Sequence, residues 1–181
     1  MCKKKLSAWF IGLFAFSVVP SVFAVDTGTV TFTGKIIEDT CDVNVNNMGA
    51  NGTVTFSDLY PSAFGADDAE GESQAFDIAL TGCDTNISNI NIKFDGTRVA
   101  NKGEEVLQAT GTATNVGIRL LDWSNAAVKF DGSEPLTGSD KQLGTTGETT
   151  FSYTAKVVQV GDAAPTAGTY TAEATYSLIY R

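Results

Sequence analysis

Histidine is absent from the 181 residues. With it go the Ser-His-Asp and Cys-His nucleophile systems and every metal site built on imidazole. Basic residues are few, 12 Lys and Arg against 21 Asp and Glu, for a net charge of −9. A surface of that sign repels phosphate backbones and anionic lipid, so neither nucleic acid nor a lipid surface is expected as a partner. The three cysteines include no C-x-x-C pair, which removes thioredoxin-type redox chemistry. A phosphate-cradling glycine loop with a following Lys-Ser/Thr is missing, as are heptads, tandem repeats and a long amphipathic helix. What remains for catalysis is a carboxylate pair of the glycoside-hydrolase kind, which depends on spatial proximity. No catalytic residue, cofactor or metal ligand is expected.

Only one long apolar run is present, Leu6 to Val19. Lys3, Lys4 and Lys5 precede it, Pro20 breaks it, and Val22-Phe23-Ala24 offers a small residue for cleavage. Residues 1–24 therefore read as a signal peptide; the run is shorter than the about 20 residues a membrane-spanning helix needs. Cleavage starts the mature chain at Val25, removes three positive charges and Cys2, and leaves Cys41 and Cys83. Two cysteines in an exported chain are expected to form one disulfide, and closing a loop of that span is worth roughly 4 kcal/mol. The compartment implied is the bacterial periplasm or beyond.

The rest is a succession of short alternating runs between Gly, Thr, Asn, Asp and Ser clusters, the pattern of an all-β sandwich. Strands are expected at Ile36 to Val45, Thr53 to Phe56, Gln74 to Leu80, and around Ile90, Ile92 and Phe94. Further strands are expected at Glu105 to Ala109, Asn115 to Trp123 with Ala126 to Phe130, and Thr149 to Val160. Val116, Ile118 and Leu120 are expected inward, as are Phe151, Tyr153, Ala155 and Val157. Asp95-Gly96 and Asp131-Gly132 read as turns. Trp123 shares the parity of Arg119 and Leu121, away from the core, and is expected as a partly covered structural aromatic in preference to a sugar-binding or subunit contact. Asp67, Asp68, Glu70 and Glu72 lack the spacing of a calcium loop and read as a solvated acidic loop.

The two ends carry the clearest alternation. In Gly168 to Arg181, Tyr170, Ala172, Ala174, Tyr176, Leu178 and Tyr180 share one face, with Thr171, Glu173, Thr175 and Ser177 on the other. In Thr29 to Ile37, Val30, Phe32, Gly34 and Ile36 share a face. On pattern alone this first segment reads equally well as the opening strand of a complete sandwich or as a strand for another copy. Gly34, lacking a side chain, would let two backbones approach closely.

The motifs then become specific. G-T-V-T-F-T-G-K-I-I (Gly28 to Ile37) is followed by Cys41; G-C-D-T-N (Gly82 to Asn86) holds the second cysteine; A-T-N-V-G-I-R-L-L-D (Ala113 to Asp122) lies at the centre. Gly168 stands fourteenth from the end and Tyr180 is penultimate. Together these resemble a pilin of the chaperone–usher pathway, most similar to the major subunit of type 1-like fimbriae. Arg181 departs from relatives that end in an uncharged polar side chain.

The resemblance implies an incomplete immunoglobulin-like sandwich of about six strands, lacking its seventh. It implies a donor-strand arm at 25–35 (Val30, Phe32, Gly34, Ile36) ahead of a pilin domain at 36–181. It assigns Gly168, Tyr170, Tyr176, Leu178, Tyr180 and Arg181 to a groove and chaperone-recognition strand. The implied partners are a periplasmic pilus chaperone, an outer-membrane usher, further copies of the chain and companion pilins. The implied location is the cell surface, as part of a fimbrium supporting adhesion. Competing readings are a minor adaptor or terminator pilin, a free-standing secreted binding module with a complete sandwich, and a secreted hydrolase.

Overall fold

The computed structural model describes residues 29–34 and 41–181. The expected signal peptide, Ile36 and the first part of the expected Ile36–Val45 strand lie outside the described residues. The chain divides into two compact units, Met1–Ile36 and Ile37–Arg181. In the first unit Val30 and Phe32 are 75% and 90% exposed, and a Cβ placed on Gly34 would find nothing within 4 Å.

The second unit is built of strands and two single-turn 3-10 segments, Pro61–Ala63 and Thr137–Ser139. Its strands are β1 (Asp42–Val45), β2 (Glu70–Thr81), β3 (Asn89–Gly96), β4 (Val106–Gln108) and β5 (Thr110–Gly111). They continue with β6 (Val116–Leu121), β7 (Lys141–Gln142), β8 (Thr149–Gln159), β9 (Tyr170–Thr171) and β10 (Ala174–Tyr180). One sheet runs β1-β2-β8-β6-β4, a second β10-β3-β7, and β5 pairs with β9. Every ladder is antiparallel. No helix of the described residues is long and apolar enough to cross a membrane.

Alternation explains the packing. Phe151, Tyr153, Ala155 and Val157 of β8 are all buried, as are Ile78 and Leu80 of β2 and Ile90, Ile92 and Phe94 of β3. Phe94 meets the Tyr153 ring edge-on at 5.2 Å, a favoured geometry for aromatic pairs. The Cys41–Cys83 disulfide joins the chain just before β1 to the chain just after β2. Burial pushes the Tyr153 phenol well above its ordinary range.

Several expectations need correction. Thr53–Phe56 does alternate, with Val54 and Phe56 half-buried and Thr53 and Thr55 exposed, but it belongs to no ladder among the described residues. The final segment is two strands, β9 and β10, broken at Ala172 and Glu173. Ala126–Phe130 forms no strand: it has an isolated bridge between Leu121 and Ala127 and single main-chain bonds, as from Phe130 N–H to the Glu104 carbonyl. Asp95-Gly96 is the end of β3 and not a turn.

Trp123 is a partly covered structural aromatic, as expected, but it packs on the core and does not point away from it. The strand ends at Leu121, and the Asp122 carboxylate accepts from Ser124 N at 2.8 Å, Ser124 Oγ at 2.7 Å and Ala126 N at 2.9 Å. This Asx-type turn curls the chain and carries the indole to within 5.1 Å of the Phe151 ring. Lys141 Nζ sits 4.8 Å above the indole, a cation–π distance.

The acidic loop is not merely solvated. Lys102 contacts Asp67 and Asp68, Arg119 contacts Asp68 and Glu70, and Lys156 contacts Glu70 at 2.7 Å.

Candidate functional site

A groove of about 1400 Å³ runs along the domain. One rim is the chain from Ala50 to Leu59, the other the chain from Pro165 to Tyr176. Its floor includes Ile78, Phe94, Ile118, Leu120, Phe130 and Val157, side chains that otherwise make up the core.

The rims are open for a structural reason. Among the described residues, β10 stands at the end of its sheet and pairs with β3 alone, β9 pairs with β5 along one edge, and the Ala50–Leu59 rim belongs to no ladder. Each rim therefore presents main-chain groups that a strand could pair with. Across the gap Tyr176 Oη donates to the Ala50 carbonyl at 2.6 Å, and the rings of Phe56 and Tyr170 lie 6.5 Å apart. Burial raises the Tyr176 phenol above its ordinary range. Burial, then the charge of Glu72, does the same to Tyr170.

The core is divided beneath this opening. A main cluster runs from Val45 to Ala155, and a smaller one gathers Phe64, Val116 and Val157. Phe56 and Ile118 pack against both. Ordered apolar side chains laid along the groove would join the two, each full burial contributing roughly 1.5–3 kcal/mol.

Of the residues that the sequence singled out, Gly168, Tyr170 and Tyr176 line the groove; Leu178, Tyr180 and Arg181 are not among its lining. Gly168 is there because nothing larger fits. A Cβ would meet Ala113 N at 2.5 Å and Thr112 Oγ1 at 2.6 Å, so the glycine lets two backbones touch. Leu178 and Tyr180 pack on the main cluster and stand opposite Ile92 and Ile90 in the β10–β3 ladder.

Arg181 continues that ladder, exchanging main-chain bonds with Asn89 at 2.9 Å. Its guanidinium reaches Asp140, Glu134 Oε2 at 3.2 Å and the Pro135 carbonyl at 3.3 Å. Asp140 also accepts from the buried Asn91 Nδ2 at 2.9 Å. Val30, Phe32 and Gly34, expected as arm residues, belong to the other unit, and Ile36 is outside the described residues.

Sequence reasoning missed the Ala50–Leu59 rim and the floor as parts of one site. The alternation of Val54 and Phe56 was the available signal, but it reads the same for a paired strand and an unpaired rim. Among the described residues no group of three or more Cys, Asp or Glu is placed to hold a metal.

A family model described as "Fimbrial protein" matches residues 30–181. The chain is 29% identical to the type-1 fimbrial protein A chain of Escherichia coli, over 94% of this chain and 93% of the relative. It is 32% identical to long polar fimbria protein A of Salmonella typhimurium, over 90% of each. Among solved structures it resembles the P pilus rod subunit PapA, with a TM-score of 0.64 at 25% identity, covering 78% of this chain and 99% of that one. It also resembles a subunit of a chaperone–usher pilus, with a TM-score of 0.66 at 26% identity, covering 91% and 99%.

Proposed function

This chain belongs to the fimbrial protein family, and from that premise we propose that it is a shaft subunit of a surface fimbrium, joined head to tail by donor-strand exchange. Polymerisation with other pilin subunits and display at the cell surface come with the family. The observation that carries the reading is the groove: one rim outside every ladder of the described residues and a second paired along one edge, over an apolar floor, in a domain whose core is otherwise packed. Such an opening suits strand addition, in which main-chain bonds supply affinity and alternate side chains supply specificity.

The finer assignments are proposals. Residues 1–24 are removed on export, 25–35 serve as the arm, and 36–181 form the domain. Val30, Phe32, Gly34 and Ile36 enter the groove of the next copy, the exposure of the first three in the single chain supporting that role. Because each copy gives an arm and receives another, the contact does not close on itself and propagates as a fibre. A periplasmic chaperone shields the groove before assembly and an outer-membrane usher supervises the exchange. Catalysis has no part in this reading.

The test is periplasmic expression of the full chain with and without its chaperone, beside a chain lacking Thr29–Lys35. The full chain is expected to need the chaperone for yield and to form SDS-resistant multimers. The deletion is expected to bind chaperone and form none. A chaperone-independent, heat-stable monomer would favour the free-standing binding module.

A further inference from the structure

Behind the unladdered rim sits a carboxylate that strand exchange leaves unused. In β2, Glu70 stands opposite Val158 and Ser73 opposite Lys156, so Gly71 and Glu72 together face the single residue Val157. One extra residue in one strand is a β-bulge, and bulges re-aim side chains. The effect here is on parity, since strict alternation would set Glu70 and Glu72 on the same face. With the bulge, Glu70 joins Arg119 and Lys156, while Glu72 turns toward the rim and meets Ser57. Gly71 makes this geometry possible: a Cβ there would meet Phe64 Cζ at 2.8 Å and Leu59 Cδ1 at 3.3 Å.

Glu72 grips one rim residue twice. Its Oε2 accepts from Ser57 N–H at 2.5 Å, and its Oε1 accepts from the Ser57 hydroxyl at 2.9 Å. Gln74 Nε2 donates to the same Oε1 at 2.8 Å and orients the carboxylate. Ser57 lines the groove, whereas Glu72 and Gln74 do not, so the rim is held from behind. Leaving water works against the charged form, but the bonds from Ser57 and Gln74 outweigh it and keep Glu72 below the usual carboxylate range.

We propose that Glu72 is a positioning residue for strand capture, fixing the Ala50–Leu59 rim where an incoming strand needs it. A rim ordered beforehand spares the incoming strand the cost of ordering it on arrival. This inference rests on the donor-strand reading.

The test uses the full chain and a fluorescent synthetic peptide of its own residues Thr29–Ile37, with association and dissociation rates followed by anisotropy. Glu72→Ala is expected to slow association by about tenfold, the scale of one charge-assisted pair of bonds. Dissociation should stay within about twofold, because a seated strand holds the rim through its own ladder. Glu72→Asp should recover part of the loss, and Ser57 amide hydrogen exchange should accelerate in Glu72→Ala. Should that variant fail to fold, Glu72→Gln keeps the size and is expected to associate more slowly than the parent. Lower global stability with an unchanged association rate overturns the positioning role, as does unchanged exchange at Ser57. If the unaltered chain captures no peptide, the donor-strand reading itself fails and takes this inference with it. If it captures peptide and the variants match its rate, only the role of Glu72 falls.

Discussion

The phenol of Tyr176 donates to the carbonyl of Ala50 at 2.6 Å, joining residues 126 positions apart across the mouth of the groove. Together with the Phe56–Tyr170 ring contact, it sets the width between rims that share no ladder. Tyr176→Phe keeps the ring and removes this bond. The expected cost is about 0.5–1.5 kcal/mol in urea unfolding, with faster hydrogen exchange around Ala50. An unchanged midpoint together with unchanged exchange would show that the bond does not set the rim.

Ile118 separates two states of the molecule. It is half-buried in the single chain and packs against both core clusters. Ile118→Ala should therefore cost the monomer about 1–2 kcal/mol, below the 2–5 kcal/mol typical of a fully buried site. The assembled fibre, where a seated strand would cover the position, should lose more. Comparing monomer unfolding with fibre dissociation in guanidinium checks this; equal losses would count against strand seating over Ile118.

Gly168 makes its close approach within its own domain, against Thr112 and Ala113. Gly168→Ala should destabilise the isolated subunit by about 1–3 kcal/mol, the usual cost of overpacking. Thermal unfolding of the monomer is the measurement. A variant with normal monomer stability that fails only in chaperone binding would assign the glycine to the partner instead.

The outer ion cluster predicts an acid response. Lys102 beside Asp67 and Asp68 holds both carboxyls below their ordinary range. A depressed folded-state pKa contributes stability above the unfolded value and loses it as pH falls through the folded one. The Asp67→Asn, Asp68→Asn double variant should be less stable than the parent at about pH 7, with the gap starting to narrow as pH falls through the ordinary aspartate range of about 4 and shrinking further below it. Lys102 is held above its ordinary range by the same partners, so the advantage should also fade in strongly alkaline solution. A gap that stays constant with pH would mean that the cluster contributes through packing alone.

Much of the architecture was legible because its cause is local. The two-residue period of β8 foretold which side chains would be buried, and the structure buries Phe151, Tyr153, Ala155 and Val157 as expected. Cys41 and Cys83 were expected to pair and do. Trp123 defeated the same logic because the strand stops two residues earlier, at a turn organised by Asp122. Parity counts only while the ladder continues.

The sequence by itself determined the strand-rich class, the sign of the surface, the pairing of the cysteines and the motif that marks the family. Each of these follows from neighbouring residues and composition. Only the tertiary structure decided that Thr53–Phe56 is a rim and not a paired strand, that Glu70 and Glu72 face different partners, and that Phe56 and Ile118 bridge a divided core. The physical reason is that a hydrogen-bond partner, a bulge and a groove are relations between segments far apart in the chain. No single stretch contains the other side of the gap.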